Sequence, residues 1–282
     1  MKKDNILPLT RLIAAIVVPF LVLAFGILFF LPDRTGQLFA WAIKPHMTSM
    51  YIGAAYLGGA WTLSQAAIGR HWHRVSPVFP AVTVFASAML IATVLHWDRF
   101  SLGTPAFITW LILYIVAPFL IPAIWLYNRR TDSGEPEESD VVVSAAARLI
   151  TRIIGTVVLL FVFTGFLYPT LLITIWPWTL TPLTARVLCG WLSVIGTGAW
   201  MISSDPRWTA WRAILEGIFL AYSLIFVAAA MNPADFKTGI FNWYTILTAV
   251  MLITIFLFYW KMESQRRKAW RREQHPPKKM DS

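Results

Sequence analysis

Charged side chains are scarce in this sequence. Asp, Glu, Lys and Arg make up 13% of the 282 residues, whereas about 25% is usual for a soluble domain. Hydrophobic residues reach 57%, above the roughly 45–50% of ordinary globular proteins. The two values together exclude an ordinary water-soluble fold.

Cysteine and recognisable catalytic motifs are also nearly absent. Cys189 is the single cysteine, so an intrachain disulfide and a cysteine metal cluster are both excluded. The sequence contains no phosphate-binding glycine loop, no HExxH and no GxSxG, and its loops are too short for a soluble catalytic domain. No particular reaction is therefore indicated.

Long uncharged apolar runs are what the sequence has instead. A bilayer core about 30 Å thick requires roughly 20 such residues per helix. Because the runs are continuously apolar rather than alternating, they predict helices and not barrel strands. We expect an all-α integral membrane protein with about eight transmembrane helices, at Leu12–Leu31, Met47–Ile68, Pro77–Trp97, Ala106–Tyr127, Ile153–Ile175, Val187–Ser203, Ala213–Met231 and Ile240–Trp260.

The distribution of basic residues predicts the orientation. Lys and Arg near helix ends are retained on the cytoplasmic side. With the N-terminus inside and an even number of helices, 19 of the 24 basic residues lie inside, and only Arg34, Lys44, Arg99, Arg186 and Lys237 lie outside. We therefore expect a protein of the cytoplasmic (inner) membrane with both termini in the cytoplasm.

An acidic segment divides the chain into two halves that resemble each other. We expect residues 1–128 to form a first four-helix repeat, 129–148 an acidic and flexible cytoplasmic linker, 149–260 a second four-helix repeat and 261–282 a basic cytoplasmic tail. The offset between matched residues drifts from 145 to about 133, and the matches are Arg11 with Arg152, Pro32 with Pro177, Gly59–Trp61 with Gly198–Trp200, Asp98 with Asp235, and Trp110 with Trp243. Since each unit has an even number of helices, both repeats should share one orientation.

Glu216 is the only carboxylate inside an apolar run. An ionisable group at membrane depth is a functional candidate by default, here for transport or gating. Arg212 lies one helical turn earlier, so a local ion pair is the simpler interpretation.

Two histidines, His46 and His96, are candidates for cofactor binding because they occupy the predicted outer ends of the second and third spans. The cofactor itself is not indicated. Asp98 and Asp235 contribute to a set of charges on the outer face. The pair His71 and His73 lacks a nearby carboxylate or cysteine in the sequence, so no metal site is predicted.

Three functions remain open on the sequence. The favoured one is a non-enzymatic membrane subunit, assembly factor or interaction protein. The alternatives are a small-molecule transporter or channel with a site between the two repeats, and a membrane redox or lipid-modifying enzyme that uses the outer histidines. Expected partners are the lipid bilayer, anionic headgroups at the basic tail and other membrane proteins, but not nucleic acid.

Overall fold

The computed structural model describes residues 3–274, and secondary structure in this range consists of helices and isolated β-bridges. We label the long helices in chain order. They are α1 (Pro8–Phe30), α2 (His46–Ile68), α3 (Val78–Leu95), α4 (Pro105–Asn128), α5 (Ala145–Leu167), α6 (Pro182–Ser203), α7 (Trp208–Met231) and α8 (Trp243–Gln274).

Seven of the long helices are apolar enough to cross a membrane, all except α2. Helix α2 has 23 residues, which suits a span, but its Ser, Thr, Gly and Gln residues make it less apolar. More than half of its residues are buried within the bundle. An all-α membrane protein is thus confirmed.

The helices form a central group and a peripheral group. Helices α2, α3, α6 and α7 lie in the centre, where α2 packs on α7 and α3 packs on α6. Each central helix also carries one peripheral helix: α1 packs on α2, α4 on α3, α5 on α6 and α8 on α7. The peripheral helices expose many large apolar side chains, including Leu12, Phe119, Phe163 and Leu257. This exposure suits contact with lipid rather than water.

The backbones of helices α2 and α7 are in close contact at two glycines. A Cβ placed on Gly58 would lie 2.6 Å from the carbonyl oxygen of Gly217, and one on Gly217 would lie 2.9 Å from the oxygen of Gly58. Small residues at such a crossing let two backbones touch. Neither position has room for a side chain.

The predicted and observed bounds differ most for two helices, the fifth and the last. The fifth helix covers Ala145–Leu167 rather than 153–175, because the Ser144 hydroxyl caps its start and Pro169 begins a separate short helix, Pro169–Ile175. Proline cannot continue a helix without loss of a hydrogen bond and a steric clash. The last helix continues past residue 260 to Gln274, so the described part of the tail extends α8. Residues 275–282 of the predicted tail lie outside the described range.

Candidate functional site

An elongated cavity of about 560 Å³ lies inside the bundle. Its walls come from α1, α2, α3 and α4 and from α6 and α7 of the other half. Along α4, lining residues run from Pro105 to Ile121, a distance of about 24 Å at 1.5 Å per residue. The volume is in the range of small-molecule sites, about 300–1,000 Å³.

The cavity wall carries no Lys, Arg, His, Asp or Glu among the described residues. Aliphatic side chains, such as Val17, Leu63 and Ile214, line one part of it. Near the middle, aromatic side chains replace them: Tyr56, Phe85, Trp110, Tyr114 and Trp191. An uncharged molecule with a long apolar portion fits this wall, whereas a charged one would lose its hydration without compensation.

The opening of the cavity lies between α1 and α4. Phe20 and Leu23 of α1 line the cavity and are 41% and 61% exposed. Pro105 and Thr109 of α4 also line it and are exposed. Residues 37–38, which follow α1, line the cavity next to this opening and are exposed as well. The surrounding surfaces of both helices are apolar, which favours access from the lipid side.

A second cluster joins the segment before α1, the α2–α3 loop, the 129–148 linker and the start of α7. We call it the inner junction because it lies on the side that the sequence predicts to be cytoplasmic. It consists of Asp4, His73, Glu137, Asp140 and Thr209. His73 is buried, with Nδ1 2.5 Å from Asp4 Oδ2 and Nε2 2.9 Å from Thr209 Oγ1 and 3.2 Å from Glu137 Oε1.

The hydrogen bonds of the inner junction determine the protonation of His73. The Thr209 hydroxyl donates its only proton to Asp140 at 2.6 Å, so His73 Nε2 must donate to the Thr209 oxygen. Nδ1 donates to Asp4, and the ring is therefore an imidazolium. Burial lowers the pKa of His73, but the hydrogen bonds to Asp4 and Glu137 outweigh it and raise the pKa to about 9. Burial also opposes ionisation of Glu137, yet hydrogen bonds from His73 and Arg74 hold its pKa well below the usual range.

The acidic linker is not free, in contrast to the prediction of a flexible segment. Glu137 forms an ion pair with Arg74. Asp132 accepts from Arg207 at 3.0 Å, and Arg207 also binds Asp205. The sequence-based argument considered apolar burial alone, and it missed that Arg74 and Arg207 pair with two of the five linker carboxylates, Glu137 and Asp132.

Carboxylates also approach the histidine pair, which corrects the expectation that none does so. Asp4 Oδ2 lies 3.3 Å from His71 Nδ1, and Asp4, His71 and His73 offer metal-ligand atom types within 4.8 Å of one another. Both ring nitrogens of His73 are donors here, however, so neither has a lone pair for a metal. The arrangement therefore favours a protonated His73 over a bound metal ion.

Glu216 and Arg212 form the predicted ion pair at 3.5 Å. The Glu216 carboxylate also accepts from the Tyr259 hydroxyl at 2.6 Å and from Trp61 Nε1 at 3.1 Å. Glu216 lines a smaller pocket of about 310 Å³ beside α8 and does not line the large cavity. The two features that the transport hypothesis joined are therefore separate.

The candidates predicted for the outer face have individual partners. His46 Nε2 lies 2.7 Å from Asp33 Oδ1, whereas His96 Nε2 accepts from Arg186 at 2.7 Å, so the structure pairs each histidine with a different residue. Asp235 accepts from the backbone N–H of Met47 at 2.8 Å and caps the start of α2 from the other half. Asp98 is exposed and contacts Arg99.

Comparison with known proteins gives no relative: no protein family, no curated protein and no solved structure matches this chain.

Proposed function

We propose that this chain is a non-enzymatic membrane protein that binds the apolar chain of a single lipid-like molecule. The observation that carries the proposal is the uncharged 560 Å³ cavity, which extends along α4 and opens between α1 and α4. A molecule enters it from the bilayer without crossing water. The transport alternative is less favoured because Glu216 does not line this cavity, and the redox alternative because His46 and His96 do not line it either.

The proposal includes eight membrane-spanning helices in two tandem repeats of the same orientation. Support comes from the helix bounds, which keep a nearly constant offset between the halves. Helices α1 and α5 begin at Pro8 and Ala145, α2 and α6 begin at His46 and Pro182, and α3 and α7 end at Leu95 and Met231.

This offset closely matches the 136 residues that separate His73 from Thr209. It is steadier than the drift from 145 to about 133 in the sequence-based matches. It also pairs Pro32 with Pro169 rather than with Pro177, so that the proline after the first span of each half occupies an equivalent position.

Backbone hydrogen bonds outside the helices repeat with the same spacing. On the inner side, Ile6 N donates to Arg70 O, and Val143 N donates to Pro206 O. On the outer side, Ser101 N donates to Ala40 O, and Lys237 N donates to Pro177 O. Equivalent loops thus make equivalent contacts, as expected of a duplicated unit.

Both termini face the cytoplasm in this proposal, and the membrane is the inner membrane of the cell. Its support is the 19 to 5 distribution of basic residues. The end of α8 carries Arg266, Arg267, Lys268, Arg271 and Arg272, a pattern suited to anionic headgroups. The proposal retains other membrane proteins as partners.

Retention of lipid by a cavity-filling variant tests the proposal. Gly59 lines the cavity, and a Cβ there has only Leu21 Cδ1 within 4 Å, at 3.8 Å. Gly59→Leu should therefore fold and reduce the lipid that co-purifies in mild detergent, measured by mass spectrometry of the extract. Gly26→Leu is the matched control, because Gly26 has open space around its Cβ position and does not line the cavity. Equal lipid content in wild type and both variants would contradict the proposal.

A further inference from the structure

The two tyrosines in the middle of the cavity narrow the chemistry of its occupant. Tyr56 and Tyr114 line the cavity, and their hydroxyl oxygens lie 2.9 Å apart. Each hydroxyl has one proton, and one of the two forms the bond between them. Among the described residues, the other proton has no acceptor. A buried donor without an acceptor is unfavourable, so the pair suits a ligand that brings an acceptor oxygen.

Aromatic rings surround this hydroxyl pair. The Trp110 ring lies 4.3 Å from that of Tyr114, and Trp191 lies 4.8 Å from Tyr56 and 4.1 Å from Phe85, measured between centroids. Such a group of rings packs well against a flat conjugated ring in offset or edge-on contact. A saturated acyl chain makes no use of this geometry.

The remaining wall determines the rest of the ligand. The absence of charged residues from the described lining requires a neutral head. Aliphatic residues between the tyrosines and the α2–α3 loop, and the opening between α1 and α4, accommodate an apolar tail that is longer than the cavity.

We propose, on the basis of the lipid-binding function above, that the occupant is a prenylquinone-type lipid whose carbonyl oxygen accepts from the Tyr56–Tyr114 pair. The quinone ring lies among the aromatic side chains, and the isoprenoid tail follows the aliphatic wall. Binding changes no bond in the quinone, so the inference requires no redox partner.

The test compares two probes on the purified full chain: decylubiquinone, and decylbenzene, which has a ring and tail but no carbonyl. Affinities are measured by isothermal titration in detergent, a readout independent of ring absorbance. We expect the wild type to prefer decylubiquinone by about fivefold to tenfold, the value of roughly one neutral hydrogen bond. The double variant Tyr56→Phe/Tyr114→Phe should lose that preference and still bind decylbenzene.

The single variants sharpen the test. Either Tyr56→Phe or Tyr114→Phe leaves one hydroxyl with a free proton, so each alone should retain most of the preference. Tyr127→Phe, an exposed tyrosine on the same helix as Tyr114, is the control and should behave as wild type.

The outcomes separate the two proposals. Equal affinity of the wild-type protein for both probes overturns the quinone inference and leaves lipid binding intact. Binding of neither probe, together with unchanged lipid content in Gly59→Leu, overturns both. A preference that survives in the double variant also overturns the role of the tyrosine pair.

Discussion

His73 and Thr209 hydrogen-bond to each other at 2.9 Å, although 136 residues separate them in the chain. The bond connects the α2–α3 loop of the first half with the start of α7 in the second. Asp4 holds the other side of His73, and Asp140 holds the other side of Thr209. The two halves are thus joined at their inner ends by a continuous chain of four side chains.

The charge of His73 makes this junction sensitive to pH. The pKa of His73 is raised from 6.5 to about 9 in the folded protein, so its contribution is complete below pH 6.5 and disappears as the pH rises through 9. At 1.36 kcal/mol per pKa unit, the contribution is at most about 3 kcal/mol. Glu137 has a lowered pKa, so its contribution is complete above its ordinary pKa and is lost as the pH falls through the lowered value. We expect thermal stability in detergent to decline between pH 6.5 and 9.

His73→Gln should remove that alkaline decline and lower the melting temperature at pH 6. His71→Gln is the matched control, because His71 is in the same loop but its side chain is 40% exposed. A decline of the same size in His73→Gln would show that another group titrates.

Much of the fold follows from the sequence because the bilayer imposes a simple rule. Apolar runs of helical length predicted every long helix. The predicted bounds were wrong where a local feature ends the helix, as at Pro169. The inner junction could not be predicted in this way. Asp4 lies 69 residues before His73, and Glu137 lies similarly far after it, so no local pattern places either carboxylate beside the ring.

The residues that line the cavity could likewise not be predicted from the sequence. Its lining residues are ordinary apolar and aromatic residues of spans, and only their three-dimensional arrangement distinguishes them from packed core. Glu216 was predicted as a candidate because it is charged. The Tyr56–Tyr114 pair was not predicted, because a tyrosine in a membrane helix is not by itself a sign of a site. For the proposed repeat, the sequence-based match of Pro32 was made with Pro177, whereas Pro169 keeps the offset of the helix bounds.

Gly→Ala substitutions should have opposite effects at the α2–α7 contact and at an uncrowded position of α1. Gly58→Ala places a Cβ 2.6 Å from the Gly217 carbonyl oxygen, and such overpacking costs about 1–3 kcal/mol. Gly26→Ala meets nothing within 4 Å and should stabilise the helix by up to about 1 kcal/mol. Thermal unfolding followed by tryptophan fluorescence measures both, and stabilisation by Gly58→Ala would contradict the close contact.

Glu216→Gln separates an ion pair from a transport role. The amide oxygen can accept from Trp61 in the place of Oε2, and the amide nitrogen then takes the place of Oε1 and donates to the Tyr259 oxygen. The bond from Arg212 to Oε1 is lost. The expected loss of stability is about 1 kcal/mol, with unchanged lipid content and unchanged affinity for decylubiquinone. A normal melting temperature combined with loss of ligand binding would instead give Glu216 a role in ligand binding or transport.

The proposed orientation is tested by labelling introduced cysteines. Cys189 is the single cysteine, so Cys189→Ser provides a background without thiols. In intact cells, a membrane-impermeant maleimide should label Asp98→Cys, whose side chain is 75% exposed in its native form. It should label Glu138→Cys, at an exposed linker position, only after the cells are permeabilised. The reverse pattern would invert the topology.

The His73–Thr209 contact also bears on how the two halves relate in evolution. In the proposed duplication, the offset between the halves makes these two positions equivalent. They nevertheless hold different side chains, which hydrogen-bond to each other. Two identical subunits would meet histidine to histidine or threonine to threonine and could not form this bond. The divergence at this pair therefore favours the fused chain over any ancestral homodimer and makes the halves no longer interchangeable.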